Sequence, residues 1–149
     1  MTNKCFRKAT RFISVLLVFA LISGGVSATG ELVQPLASDY ITSCTAKIIS
    51  YGDGEFVVDF SIIGRNTMLS IGVTEIEIQW SLNGTSWNDG ESILASEYPS
   101  MLGTNRIKYS SSVPFTGVEG RYYRAYVTFY ASNASGSDSA TITTLKVQI

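Results

Sequence analysis

Histidine is absent from the 149 residues, cysteine occurs twice and proline three times. Without histidine the chain lacks the usual general base, the Ser-His-Asp and Cys-His nucleophile systems and the most common zinc ligand. No glycine-rich turn opens a helix as in phosphate or dinucleotide sites. We therefore expect no catalytic residues, no metal site and no cofactor, and the sequence predicts that the protein is not an enzyme.

Paired carboxylates are the remaining route to catalysis, because glycoside hydrolysis needs two acids that face each other across a cleft. Glu75 and Glu77 share one face of a predicted strand, but neighbours on a strand face form an open, flat surface. A carboxylate enzyme is therefore an unfavoured alternative. Asp53-Gly54-Glu55 offers oxygen atoms for calcium, and a solvated hairpin turn is the simpler interpretation.

No acidic residue precedes Glu31, whereas four cations lie within the first eleven positions. An apolar run follows at 12–22, and small residues end at Ala28. This pattern predicts a cleaved signal peptide over residues 1–28, and hence a secreted or cell-surface protein without a stable membrane span. The alternatives are a transmembrane anchor, which needs about 20 apolar residues, and a lipid anchor at Cys44, which lies too far beyond the apolar run.

Charge is sparse and uneven in the rest of the chain. Without residues 1–28 the chain keeps 7 basic and 12 acidic side chains, so its net charge is 7 − 12 = −5. The cations are scattered, whereas nucleic-acid binding relies on a basic stripe, so nucleic acid is not an expected partner. Cys5 would be lost with the signal peptide, which leaves Cys44 as a small buried strand residue or, alternatively, as an intermolecular bridge or reactive thiol.

From Tyr40 onward apolar residues recur at every second position, which is typical of half-buried strands. Residues 29–39 show no such period and are predicted to form a flexible leader before one domain at 40–149. The predicted strands lie near 40–50, 56–62, 73–82, 107–115, 122–131 and 138–149. Residues 93–102 allow one helical turn at most, because Pro99 limits a helix there.

Turn residues predict how these strands connect. The segment Tyr51–Gly54 joins the first two strands in a hairpin, and Asn83-Gly84 supplies a two-residue hairpin turn after the third. The apolar positions change parity between Ile142 and Leu145, which predicts a bulge or a change of sheet in the last segment. About seven strands without helices favour an antiparallel β-sandwich.

Two segments resemble the fibronectin type III family. Residues 123–137 are similar to its sixth strand and following loop, and residues 76–87 to its third strand and hairpin. The resemblance implies an all-β, immunoglobulin-like antiparallel β-sandwich of about seven strands, with Tyr123 as a corner residue whose hydroxyl bonds back to the chain. The whole chain is similar to an uncharacterised family of small secreted proteins from Gram-positive gut bacteria, which implies no activity.

The strand at 122–131 carries the candidate site. If Tyr123 and every second residue after it point inward, the side chains between them form an outward aromatic stripe, flanked by Glu75, Glu77 and Gln79 of the third strand. The predicted binding residues are Tyr122, Arg124, Tyr126, Tyr130 and Glu77. Such a rigid amphipathic face suits stacking on a glycan or docking of a protein partner.

Three other interpretations stay open. The stripe is also consistent with an ordinary strand surface on which Arg124 pairs with Glu77. Trp80 and Trp87 are interpreted as core and hairpin packing. The domain as a whole also fits an accessory or structural cell-surface component that associates with copies of itself through its edge strands.

Overall fold

The structure is a computed structural model that describes residues 32–35 and 38–149. Within these ranges the chain forms eight β-strands: β1 (Leu32–Pro35), β2 (Ile41–Gly52), β3 (Glu55–Ser81), β4 (Asn88–Leu94), β5 (Leu102–Thr116), β6 (Tyr122–Asn133), β7 (Gly136–Thr143) and β8 (Val147–Gln148). A 3-10 turn at Pro99–Met101 agrees with the single helical turn expected before β5. The described chain is therefore all-β, as predicted, whereas the predicted signal peptide lies outside the described residues.

The 27-residue strand β3 organises the sheet. Its first half lies between β2 and β5, and its second half lies between β6 and β4, with every pairing antiparallel. The sequence predicts two separate strands here, and this division is wrong. The register against β5 shifts between Ile63 and Met68, but the chain bulges there without leaving the sheet.

The sheet curls so that its two halves enclose one core. The rings of Phe56 and Tyr123 lie 5.0 Å apart, and those of Phe60 and Phe129 meet edge-on at 6.3 Å. These contacts join the first half of β3 to β6, which are not paired with each other there. Alternate residues of both strands are buried, as the period-two pattern predicts. Burial of these aromatic rings supplies much of the force that closes the curl.

The two predicted hairpin turns have different outcomes. Asp53 and Gly54 have φ angles of 55° and 79°, and they join β2 to β3 in the predicted tight turn. In the connection that follows β3, at residues 82–87, Gly84 alone has a positive φ, of 70°, whereas a two-residue turn of this kind needs two such residues. Residues 82–87 form a longer loop instead, so the predicted Asn83-Gly84 hairpin turn is wrong.

Side chains of the loop itself hold that longer connection. The Ser81 hydroxyl accepts a hydrogen bond from the Gly84 amide at 2.9 Å, and Asn83 Oδ1 accepts from the amides of Thr85 and Ser86 at 2.9 Å each. Serine and asparagine side chains often stabilise turns in this way. The asparagine is thus used as an acceptor for the backbone rather than for its tolerance of positive φ.

The parity change near the C-terminus corresponds to a bulge, as predicted. Both β7 and β8 pair with β6, but the register moves by one residue between Thr143 and Val147. Thr144 fills the break, since its hydroxyl accepts a hydrogen bond from the Ala125 amide at 3.0 Å while its own amide donates to the Ala125 carbonyl at 2.9 Å.

Part of the predicted leader is a strand. Residues 32–35 form β1, which pairs antiparallel with β2 and brings Gln34 opposite Cys44. Because β1 is short and ends in a proline, the sequence shows no alternation of apolar and polar residues that would predict this strand.

Candidate functional site

The parity predicted for β6 is confirmed by burial. Val127 and Phe129 are fully buried, whereas Tyr122, Arg124, Tyr126 and Tyr130 are half-buried and point away from the core. The pairing with β3 is also as predicted, with Glu77 opposite Tyr126 and Gln79 opposite Arg124. We call the surface formed by these outward side chains of β3 and β6 the outer face.

Arg124 is the most constrained residue of the outer face. Its Nε and Nη2 both donate to Gln79 Oε1, at 2.9 and 2.7 Å, and Nη2 also donates to the Tyr126 hydroxyl at 3.1 Å. Gln79 in turn donates from Nε2 to Asp89 Oδ1 on β4 at 2.9 Å. A chain of hydrogen bonds therefore crosses three strands, and the predicted pairing of Arg124 with Glu77 is replaced by a pairing with Gln79.

Trp87 completes this cluster from the loop after β3. The Arg124 Cζ lies 4.3 Å from the centre of the Trp87 ring and 5.3 Å from that of Tyr126. A guanidinium stacked on an indole gains about 0.5–1 kcal/mol at an exposed site, and the stacking also fixes its plane. Trp87 therefore packs on the outer face rather than in the hairpin interior. The longer loop at 82–87 allows its side chain to reach Arg124 on β6.

Trp80 belongs to the opposite, inward side of β3, as predicted. It is half-buried and packs against the core, and Arg121 stacks on its ring with Cζ at 4.1 Å from the centre. The two tryptophans thus each hold one arginine, but on different faces of the sheet.

The remaining predicted site residues are spread along the outer face. Tyr122 packs under the loop, where Lys146 Nζ lies 5.6 Å from its ring and donates to the Gly84 carbonyl at 2.9 Å. Tyr130 pairs with Ser139 of β7, four residues from Tyr126, which corresponds to about 13 Å along a strand. Glu77 is exposed beside Tyr126. The structure therefore brings together Arg124, Tyr126 and Glu77, and it places Tyr122 and Tyr130 at either end.

Three carboxylates, those of Glu77, Asp89 and Glu91, line a cavity of about 280 Å³ beside β4. Glu75 Oε1 accepts from the Ser92 hydroxyl at 3.1 Å, while Glu77 extends into solvent from the same flat strand face. Within the described ranges, no three Cys, Asp or Glu residues are grouped closely enough to hold a metal ion. Asp53 occupies the hairpin turn of β2 and β3.

Cys44 is fully buried on β2, in agreement with its interpretation as a core residue. Burial disfavours the charged thiolate and raises the pKa of its thiol from 9.0 to about 11. A thiol with such a pKa is a poor nucleophile at neutral pH, so the observed environment does not favour the reactive-thiol alternative.

A second polar surface escaped the sequence reasoning. Residues from three neighbouring strands line an open cavity of about 440 Å³ on the outside of the other half of the sheet: Thr45, Lys47, Asp59, Ser61, Ser110 and Ser112. Ser110 and Ser61 hydroxyls lie 2.9 Å apart across β5 and β3. These residues meet only through the register of the strands, which the sequence pattern does not specify.

Gln79 and Trp87 are the two members of the Arg124 cluster that were not predicted as site residues. The alternation on β3 places Gln79 outward, but only the register shows that it faces Arg124 rather than Tyr126. Trp87 carries no periodic signal because it lies in a loop.

No protein-family model, curated protein or solved structure matches this chain. Among the residues that the structure describes, there is no helix with the length and hydrophobicity needed to span a lipid bilayer.

Proposed function

We propose that this chain is an exported, non-catalytic binding module built on an immunoglobulin-like, fibronectin type III-like sandwich. The strand pairings support this architecture, since β2, the first half of β3 and β5 follow the order A-B-E, while β4, the second half of β3, β6 and β7 follow the order C′-C-F-G. The Tyr123 hydroxyl also accepts a hydrogen bond from the Val118 amide at 2.7 Å, as in the tyrosine corner of such domains. The basic and apolar N-terminal segment supports export.

The observation that carries the binding proposal is the fixed Arg124 cluster. Gln79 and Trp87 hold the guanidinium in one orientation, and Tyr126 lies next to it with its hydroxyl engaged. A surface that is ordered before its ligand arrives loses less conformational entropy on binding. Arginine, tyrosine and tryptophan are also the residues that dominate binding energy at interfaces.

The chemistry of the outer face suits a flat ligand that carries hydroxyl groups. The ring of Tyr126 offers a surface for stacking, and the exposed carboxylate of Glu77 beside it can accept hydrogen bonds. Tyr130 repeats the aromatic surface farther along β6. A glycan with several sugar rings fits this spacing, and a protein surface is the second class of ligand.

The test is a double variant, Tyr126→Ser with Tyr130→Ser, compared with the unmodified chain on a glycan array and in a pull-down from host proteins. Both side chains lie outside the core, so we expect the variant to fold with a nearly unchanged thermal unfolding curve. We expect it to lose at least about tenfold in affinity for each ligand found, which corresponds to one aromatic contact of about 1.4 kcal/mol.

Tyr51→Ser is the matched control, because Tyr51 is exposed but lies in the β2–β3 hairpin. It should bind as the unmodified chain does. If the double variant binds every ligand unchanged, the outer face is not the binding surface. If neither screen finds a ligand for the unmodified chain, the proposed function itself fails.

A further inference from the structure

One protruding segment of β5 combines a bare apolar side chain with two cations. Residues 104–108 are all exposed, although a regular strand hides every second residue. Asn105 has a φ of 54°, which breaks the strand geometry, and Ile107 is 53% exposed between Arg106 and Lys108. We call Arg106, Ile107 and Lys108 the knob.

Contacts of Tyr109 fix the chain on both sides of the knob. Tyr109 closes against Gly103, where a Cβ atom would collide with the ring, and its hydroxyl donates to the Ser100 carbonyl at 2.7 Å. The Arg106 guanidinium lies 5.4 Å from the centre of the same ring. These contacts fasten the residues on both sides of the protrusion, so Ile107 projects from an ordered support.

The other end of β5 borders an opening between the two halves of the sheet. Two adjoining cavities of about 370 and 380 Å³ share Phe56 and Phe115 in their lining, and Glu91 of β4 lines both. Glu55 lines the second cavity, and among the residues that the structure describes no lysine or arginine lines either cavity. We call this opening, with its aromatic floor and two carboxylates, the cleft.

A bulge places Glu91 at the cleft. Glu77 pairs with Ser92 and Gln79 with Asp89, so both Gly90 and Glu91 lie opposite the single residue Ile78. A Cβ atom on Gly90 would lie 2.9 Å from the Ile78 carbonyl oxygen, which explains the glycine at this position. The bulge redirects the strand so that its carboxylate lines the cleft.

The knob and the cleft are complementary in charge, because one carries two cations beside the exposed Ile107 and the other carries two carboxylates beside the largely buried Phe56 and Phe115. They cannot meet within one molecule, since Thr116 lies nine positions after Ile107 on β5, or about 30 Å of strand. We propose that the knob of one copy docks into the cleft of a second copy. Such a contact joins different surfaces head to tail, and it therefore builds rings or open chains rather than isolated twofold dimers.

The first experiment is sedimentation velocity on the full chain, produced in a secreting host, over a wide range of protein concentration. We expect species larger than a dimer to grow with concentration and to decline at high salt, which screens the flanking charges. Ile107→Asp and Glu91→Lys should each raise the dissociation constant by at least about tenfold, through loss of apolar burial and reversal of a charge. Both side chains are exposed, so the fold should persist in circular dichroism.

Two controls match these variants. Leu82→Asp changes another exposed aliphatic residue, and Asp138→Lys reverses a half-exposed carboxylate on β7; neither residue belongs to the knob or the cleft. Both controls should assemble as the unmodified chain does. A chain that stays monomeric at every concentration overturns the proposal, as does an assembly that the knob and cleft variants leave unchanged.

Mixing the two defective variants gives the sharpest test. Ile107→Asp keeps an intact cleft, and Glu91→Lys keeps an intact knob, so the mixture should form pairs of one copy of each that grow no further. An isologous dimer would also recover one of its two knob–cleft contacts in such a mixture, so growth of the unmodified chain beyond a dimer is the result that distinguishes head-to-tail docking. Absence of mixed pairs refutes head-to-tail docking.

Discussion

The hydroxyl of Tyr123 offers a precise test of how the domain is held together. Tyr123→Phe keeps the ring, which is 5% exposed and lies 5.0 Å from Phe56, and removes the oxygen that accepts from the Val118 amide at 2.7 Å. The apolar contacts are therefore unchanged, and the loss reduces to one hydrogen bond. Because Val118 is 53% exposed, water can partly replace the lost acceptor.

The expected cost follows from these contacts. A single intramolecular hydrogen bond contributes about 0.5–1.5 kcal/mol net to the free energy of unfolding. We expect a loss of about 1 kcal/mol for Tyr123→Phe, which lowers the melting temperature by roughly 4 °C in a domain of this size. Tyr123→Ala also removes the buried ring and should cost about 3–5 kcal/mol.

The assay is urea unfolding followed by tryptophan fluorescence, with Tyr126→Phe as the control for loss of a hydroxyl on the outer face. The midpoint should fall in Tyr123→Phe while the slope with denaturant stays constant, which indicates an unchanged fold. The Tyr126 hydroxyl accepts from Arg124 on the half-exposed surface, so its removal should cost less. If the two variants are equally stable, the hydrogen bond between the Val118 amide and the Tyr123 hydroxyl does not make the expected contribution to the free energy of unfolding.

Two further predictions concern Cys44 and the N-terminus. Because burial raises the pKa of the Cys44 thiol from 9.0 to about 11, the unfolded chain loses this proton at lower pH than the folded chain. The stability that the buried thiol contributes is therefore present below pH 9 and declines as pH rises toward 11. The free energy of unfolding of Cys44→Ala should decline less over this range, and an equal decline would contradict the assignment to this thiol. Intact mass spectrometry of the chain from a secreting bacterium should show a product that begins at Thr29, and a product that retains residues 1–28 would contradict the signal-peptide prediction.

Much of the fold could be predicted because strands that bury one face carry a simple period. The alternation from Tyr122 to Tyr130 correctly assigned each residue of β6 to the core or to the surface. The tight turn at Asp53-Gly54 was also predictable, since it depends on local chain geometry, and the bond of the Tyr123 hydroxyl back to the chain was expected from the resemblance of residues 123–137. The parity change before Leu145 likewise announced the bulge between β7 and β8.

The failures share a cause, which is that pairing between strands leaves little trace in sequence. Gly64-Arg65-Asn66 resembles a turn, yet the Arg65 amide donates to the Tyr40 carbonyl at 3.0 Å and β3 continues. The Asn83-Gly84 pair resembles a hairpin turn, but the Gly84 amide donates a hydrogen bond to the Ser81 hydroxyl, and a longer loop forms instead. At the candidate site, only the register decides that Arg124 meets Gln79 instead of Glu77.

The length of β3 has a consequence for how the chain acquires its structure during synthesis. Of the strands that pair with β3, only β2 precedes it, while β4, β5 and β6 emerge from the ribosome later. Until residue 133 has been made, the second half of β3 lacks β6 along one edge, and unpaired edges of this kind promote aggregation. The domain therefore completes its sheet late, through contacts between distant parts of the chain, which favours slow folding.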